Sequence, residues 1–251
     1  MRVVSLHPDV LVATSAIWQT NCTIVRGTVS AAPDPAGNPV VVQIAGEGAG
    51  SGETFAIDSP VLPAELEALP TLLRQSDFPS PNGLLATHGD WDHLLGRLAF
   101  PDVALGCAES TSARLAAAPG AAQRELRAFD KGFYIERPHP LMLGQVQGLP
   151  VPGRCGIGEH ELELHPADGH TEDGMAIWVP WARVLVCGDY LSTVEPPEVG
   201  QGSSAGAYRD TLERLRPLVA AAEHVVPGHG PILDSERALA VLEENLVSLA
   251  L

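Results

Sequence analysis

Thr87-His88-Gly89-Asp90-Trp91-Asp92-His93 places four potential metal ligands, His88, Asp90, Asp92 and His93, within six residues. Upstream, Gly83 to Thr87 is a short apolar run with a β-branched end, bounded by Pro79, Ser80, Pro81 and Asn82, and it reads as a buried strand. Downstream, Leu94, Leu95, Leu98 and Ala99 have the spacing of a short helix. The donors therefore occupy a strand-to-helix turn, at the strand end where open α/β sheets build their sites. Residues two apart in an extended turn point the same way. His88, Asp90 and Asp92 can share one side while His93 turns off it, an arrangement that suits two ions better than one. A lone His-x-Asp pair in a turn is usually a cap or a solvated loop. Four donors this close are different, because neighbouring carboxylates repel unless cations lie between them.

The flanking chain is read as strands and helices in alternation. Short strands are expected at Val10 to Thr14, Asn21 to Val25 and Val40 to Ile44, separated by loops such as Ala32 to Asn38, with a flexible loop at Gly46 to Gly52. A strand at Thr54 to Ile57 delivers Asp58, which could cap the helix expected at Pro63 to Arg74. Beyond the metal turn come a strand at Val103 to Leu105 and helices at Glu109 to Ala118 and Ala122 to Phe133. Phe129, Phe133 and Tyr134 are expected in the core or cleft wall, or as a lid. The second half predicts strands at Glu161 to His165, Met175 to Val179, Val184 to Cys187 and His224 to Val226. Helices follow at Tyr208 to Ala222, where Pro217 should kink or break the chain, and at Ser235 to Leu249.

The Thr87–His93 segment resembles the HxHxDH signature of the metallo-β-lactamase superfamily, with Asp90 where that family usually has its second histidine. Further landmarks follow in the family's order: Asp58 in Thr-Phe-Ala-Ile-Asp-Ser-Pro, His170 in Asp-Gly-His-Thr, Asp189 in Val-Cys-Gly-Asp-Tyr and His229 in Pro-Gly-His-Gly-Pro. The resemblance runs from about Gln19 to Asp234. It implies an α/β (α+β) four-layer αββα sandwich. Read through the family pattern, His88, Asp90 and His170 would hold one divalent ion. Asp92, His93, Asp189 and His229 would hold the other, with Asp189 able to bridge and Asp58 supporting the site from behind.

Composition narrows the function. With 251 residues and 45% hydrophobic content, the chain is expected to form a single domain over residues 1–251. Its net charge of −16, with Lys131 the only lysine, argues against nucleic-acid binding, which depends on neutralising phosphates with Lys and Arg. Cys22, Cys107, Cys155 and Cys187 form no CxxC and read as reduced, buried thiols. No run reaches 18 apolar residues, and His7, Pro8 and Asp9 interrupt the first apolar stretch too early for a signal peptide. A cytoplasmic monomer or homodimer without membrane contact is expected.

Imidazole and carboxylate donors without cysteine suit zinc, iron or manganese and make a purely structural zinc unlike this set. Two such ions activate a shared water, which points to hydrolysis of a small ester, thioester or lactone, with Asp92 and Tyr190 as catalytic candidates. Asp90 adds a negative charge and favours harder ions, so a diiron oxidoreductase related to the metal domain of flavodiiron proteins is the alternative. A mononuclear or degenerate metal-binding protein is another. Tyr190 could instead pack beneath the ions. His139, His160, His165 and His224 read as surface or structural residues. Glu172 and Asp173 could cap a turn or add negative potential, Glu195 and Glu198 could rim the cleft, and Arg154 and Arg183 could meet an anionic substrate. The lack of a lysine near the site counts against a true β-lactamase.

Overall fold

The computed structural model describes residues 1–28, 52–200 and 202–250. The strand expected at Val40 to Ile44 and the loops expected at Ala32 to Asn38 and from Gly46 lie outside them, the last except for Gly52.

Among the described residues, two sheets face one another. The first contains β1 (Arg2–His7), β2 (Val10–Thr14), β3 (Asn21–Gly27), β4 (Glu53–Ile57), β5 (Gly83–Leu85), β6 (Leu105–Ala108) and β7 (Val146–Leu149), in that spatial order. Pairing is antiparallel from β1 to β4 and parallel from β4 to β7. The second sheet contains β8 (Gly153–Ile157), β9 (His160–Pro166), β10 (Met175–Val179), β11 (Val184–Val186) and β12 (His224–Val226), ordered β12-β11-β10-β9-β8. Within it the β11–β12 pair is parallel and the other pairs are antiparallel.

Six helices are found among the described residues: α1 (Pro63–Gln75), α2 (Gly96–Ala99), α3 (Glu109–Ala117), α4 (Ala121–Phe133), α5 (Ala205–Ala221) and α6 (Ser235–Ser248). The apolar residues divide into three cores, which is how the layers are held. Val12, Val25, Phe55, Leu164 and Ile177 pack between the sheets. Leu66, Leu69 and Leu73 of α1 and Leu126 of α4 cover the outer face of the first sheet. Leu212 and Leu215 of α5 and Val241 and Leu242 of α6 cover the outer face of the second. The result is the four-layer αββα sandwich. Each of these fully buried side chains contributes on the order of 2 kcal/mol by leaving water.

The departures from expectation have local causes. Strand β1 is half exposed, and β7 and β8 carry glycines, so none shows the dense β-branched run that marks a buried strand. The segment after the metal turn winds first as a 3₁₀ turn at Trp91–His93 and becomes α-helical only at Gly96. Strand β6 begins at Leu105 rather than Val103. Helix α5 runs through Pro217, which removes one backbone bond but leaves Leu212, Leu215 and Val219 fully buried, and that packing outweighs the loss. Asp58 does not cap α1; there Glu65 accepts the Leu62 N–H at 3.3 Å and the Ser15 hydroxyl at 2.6 Å. All four cysteines are free and buried, and burial pushes the thiols of Cys107 and Cys155 up to about 12 and about 11. No helix among the described residues is long and apolar enough to cross a membrane.

Candidate metal centre

Strand ends supply the site. His88, Asp90, Asp92 and His93 follow β5, His170 follows β9, Asp189 follows β11 and His229 follows β12. The two sheets are tied at this edge, where Met175 N–H donates to the Thr87 carbonyl at 2.7 Å. All seven expected ligands come together. His88, Asp90 and His170 form one donor group, and Asp92, His93 and His229 form another. Asp189 lies between them. Its Oδ2 is 3.6 Å from His88 Nε2 and 3.3 Å from His170 Nε2. Its Oδ1 is 3.2 Å from His93 Nε2 and 3.5 Å from His229 Nε2.

The donor set fits ions by a second criterion. Buried polar atoms are nearly always hydrogen-bonded, yet the Nε2 atoms of His88, His93 and His170 and Oδ1 of Asp189 are buried here without a hydrogen-bond partner. They converge on one place, as ligands do. Gly228 is part of the same fit, since a Cβ there would lie 2.1 Å from Asp189 Oδ1 and 2.9 Å from His93 Cε1.

Surrounding groups aim the ligands. Asp58, 4% exposed, accepts the Thr87 N–H at 2.8 Å and the Thr87 hydroxyl at 2.9 Å, and its Oδ2 is 3.1 Å from His93 Nδ1. His170 Nδ1 bonds the Glu198 carbonyl at 3.0 Å, and His229 Nδ1 is 3.2 Å from the Trp18 carbonyl. In each of these rings the partner at Nδ1 leaves Nε2 for the site. Asn21, a residue with no sequence signal for the site, donates through Nδ2 to the carbonyls of Pro227 and Gly230 at 2.8 and 2.9 Å, which fixes the His229 loop against β3.

Tyr190 is not positioned as a catalytic group. It is 2% exposed, its hydroxyl donates to the Asp168 carbonyl at 2.8 Å and accepts the His170 N–H at 2.9 Å, and its ring packs on Tyr208. It is a positioning residue for His170. Arg154 pairs with Glu161, and Arg183 donates to the Ala221 carbonyl, so neither faces the cluster. Asp173 neither caps a turn nor stands free. It is buried, accepts the Gly89 N–H at 3.0 Å and pairs with Arg114 at 2.8 Å, while Arg114 also holds Asp90 at 2.7 Å. Glu195 Oε1 is 3.6 Å from His229 Nδ1, at the exposed rim.

Electrostatics follow from the crowding. Burial alone would raise the Asp90 carboxyl, but the His170 and His88 imidazoles beside it, together with the Arg114 charge, hold it well below the usual carboxylate range. Burial alone would lower His170, but the Asp90 carboxylate beside its Nε2 and the Asp189 charge push it up to about 9. Cations are what these carboxylates attract.

One wall is aromatic. Trp18, Trp91, Phe129 and Phe133 form a continuous stack with ring centroids 4.6 to 5.7 Å apart, and Trp18 reaches 6.5 Å from the His229 ring. Trp18 and Phe133 are 44% and 56% exposed, so the wall is open to a ligand. Tyr134 is 94% exposed and outside the stack.

Comparison with known proteins agrees with this fold. The family model described as the metallo-beta-lactamase superfamily matches residues 65–229, more than half of the chain. A metallo-beta-lactamase type 2 of Bacteroides fragilis is 29% identical over 98 residues, covering 35% of this chain and 39% of that protein. The type 2 enzyme of Bacillus cereus is 26% identical over 104 residues, 40% of each. These matches span about two fifths of the relatives' length. Among solved structures, a metallo-beta-lactamase from Pontibacter korlensis superposes with a TM-score of 0.67 at 17% identity, covering 99% of this chain and 98% of that one. A metallo-beta-lactamase family protein from Thermus thermophilus gives 0.68 at 18% identity, covering 98% and 81%. At such identities the likeness is one of fold.

Proposed function

The chain belongs to the metallo-beta-lactamase superfamily, and from that membership we propose that it is a hydrolase that uses two divalent ions, most simply zinc, on a small ester, thioester or lactone. The observation that carries the reading is the pair of donor groups sharing Asp189, each of whose oxygens faces two imidazoles. Two ions held there would lower the pKa of a water between them towards neutrality and polarise a substrate carbonyl. The protein's own part is to hold and orient. His88, Asp90 and His170 would take the first ion, Asp92, His93 and His229 the second, and Asp189 both. Asp92, whose Oδ2 is 3.2 Å from His229 Nε2, would also orient the attacking water and take its proton. The aromatic wall offers apolar surface to an acyl or leaving group, and the exposed carboxylate of Glu195 disfavours an anionic one there.

The test is to strip the protein with a chelator, restore zinc, and assay ester, thioester, lactone and β-lactam chromogens side by side. Zinc-dependent turnover of an ester, thioester or lactone supports the reading. Turnover confined to the β-lactam would replace it with the activity in the names of the curated relatives, and no zinc dependence with any substrate would remove it. Asp90 supports a second reading, because a carboxylate in the first donor group favours iron. Two irons in a coloured protein that consumes an oxidant would put that oxidoreductase first.

A further inference from the structure

We propose that Arg114 is a positioning residue that turns Asp90 into a one-oxygen ligand, and that Asp90, Arg114 and Asp173 act as a single unit. This rests on the metal-centre reading above and goes beyond it, since nothing in the donor set itself requires an arginine.

The two oxygens of Asp90 have separate tasks. Oδ2 lies 3.6 Å from His88 Nε2 and 3.5 Å from His170 Nε2, inside the first donor group. Oδ1 faces the other way and accepts from Arg114 Nη2 at 2.7 Å. The Asp90 side chain is 30% exposed, so packing does little to fix it. The terminal torsion of an aspartate is broad, and a free carboxylate could present either oxygen or both. The guanidinium removes that choice.

Arg114 can do so because it is fixed in turn. Its Nη1 donates to Asp173 Oδ1 at 2.8 Å, and the Asp173 side chain is fully buried. The other Asp173 oxygen accepts the Gly89 N–H at 3.0 Å, one residue before Asp90. The planar fork of an arginine can span two carboxylates in this way, whereas a lysine is a point charge. The fork also needs room. A Cβ at residue 89 would lie 3.3 Å from Arg114 Nη1 and 3.2 Å from Asp173 Oδ2, so the bare Gly89 backbone lets the guanidinium lie against the metal turn. Helix α3 supplies the arginine one turn after the fully buried Thr111, whose Cγ2 would be 3.5 Å from the same Cβ.

Two accounts of Arg114 make opposite predictions. If it were only a screening charge, removing it would relieve repulsion and tighten the binding of a cation nearby. If it positions Asp90, removing it weakens the first ion, because partners that orient ligands are typically worth about 10- to 100-fold in metal affinity.

The experiment is a double-mutant cycle read by zinc binding rather than turnover. Full-length protein is stripped of metal and titrated with zinc against a chromophoric chelator, and stoichiometry is checked by mass spectrometry. Melting of each metal-free variant establishes that it folds. Arg114→Leu should weaken one of the two zinc ions about 10- to 100-fold and leave the other within about twofold. Arg114→Lys, which keeps the charge but cannot span both carboxylates, should lose nearly as much. In the Asp90→His background an imidazole offers a single lone pair, and a guanidinium, which only donates, cannot orient its N–H, so adding Arg114→Leu should change zinc affinity by no more than about twofold. Tighter or unchanged binding in Arg114→Leu, full affinity in Arg114→Lys, or an equal loss in both backgrounds would overturn the proposal. A wild-type chain that binds no zinc would overturn the metal-centre reading itself, which separates the two failures.

Discussion

Replacing Asp58 separates folding from metal binding. This carboxylate accepts the Thr87 N–H and hydroxyl, and its Oδ2 is 3.1 Å from His93 Nδ1. In Asp58→Ala the fully buried Thr87 N–H is left without an acceptor, which costs about 1–3 kcal/mol, and the charged hydrogen bond to its hydroxyl is lost as well. A stability loss of roughly 3 kcal/mol is expected. Asp58→Asn behaves differently. Its amide oxygen can still take the Thr87 N–H, so the stability loss should be nearer to about 1 kcal/mol. Its NH2 then faces His93 Nδ1 and favours the tautomer protonated at Nε2, which cannot ligate. Flipping the amide instead sets NH2 against the Thr87 N–H. That second clash favours the first orientation, so Asn should weaken the second zinc by about 10- to 100-fold. Denaturant titration of the metal-free variants gives the first quantity and zinc competition the second. An Asn variant that keeps both ions at wild-type affinity would refute the tautomer argument.

Other outcomes follow from the same geometry. Asp92→Ala and His229→Ala each remove a donor of the second group, and hydrolysis should fall to background; full turnover in either would sink the metal mechanism. Tyr190→Phe strands the His170 N–H, while the Asp168 carbonyl keeps the Thr211 hydroxyl. It should cost about 1–2 kcal/mol in denaturant titration and lower turnover without abolishing it. In metal-free protein the His170 pKa of about 9 exceeds its ordinary value of 6.5. Its contribution is therefore fully present below pH 6.5 and is lost as pH rises through about 9, on the order of 3 kcal/mol. Denaturation midpoints of chelator-treated protein should fall across that window, and zinc affinity should rise across it; a flat profile would contradict the cluster's electrostatics.

The parts of the site legible in the sequence are those written locally. Thr87 to His93 compresses four donors into one turn, and Asp58, His170, Asp189 and His229 each stand just after a β-rich run, where a sandwich collects its strand ends. The partners of those donors are different. Arg114 and Asp173 are 59 residues apart and meet only because α3 packs beside β7 over the metal turn. No periodicity joins them. Asn21 fixes the His229 loop across 206 residues for the same reason. Tyr190 is legible as a neighbour of the site, but only packing shows that its hydroxyl points to the His170 backbone rather than into the cleft. The half-exposed β1 and the glycine-bearing β7 and β8 escape for want of a dense β-branched run, not because their pairing is weak.

Seven side chains are proposed to hold two divalent ions around Asp189. Metal content of untagged protein purified without chelators, measured by inductively coupled plasma mass spectrometry alongside the visible spectrum, tests this most directly. Two zinc ions per chain in a colourless sample are expected. A chain that carries a single ion, or none after incubation with excess zinc, would contradict that.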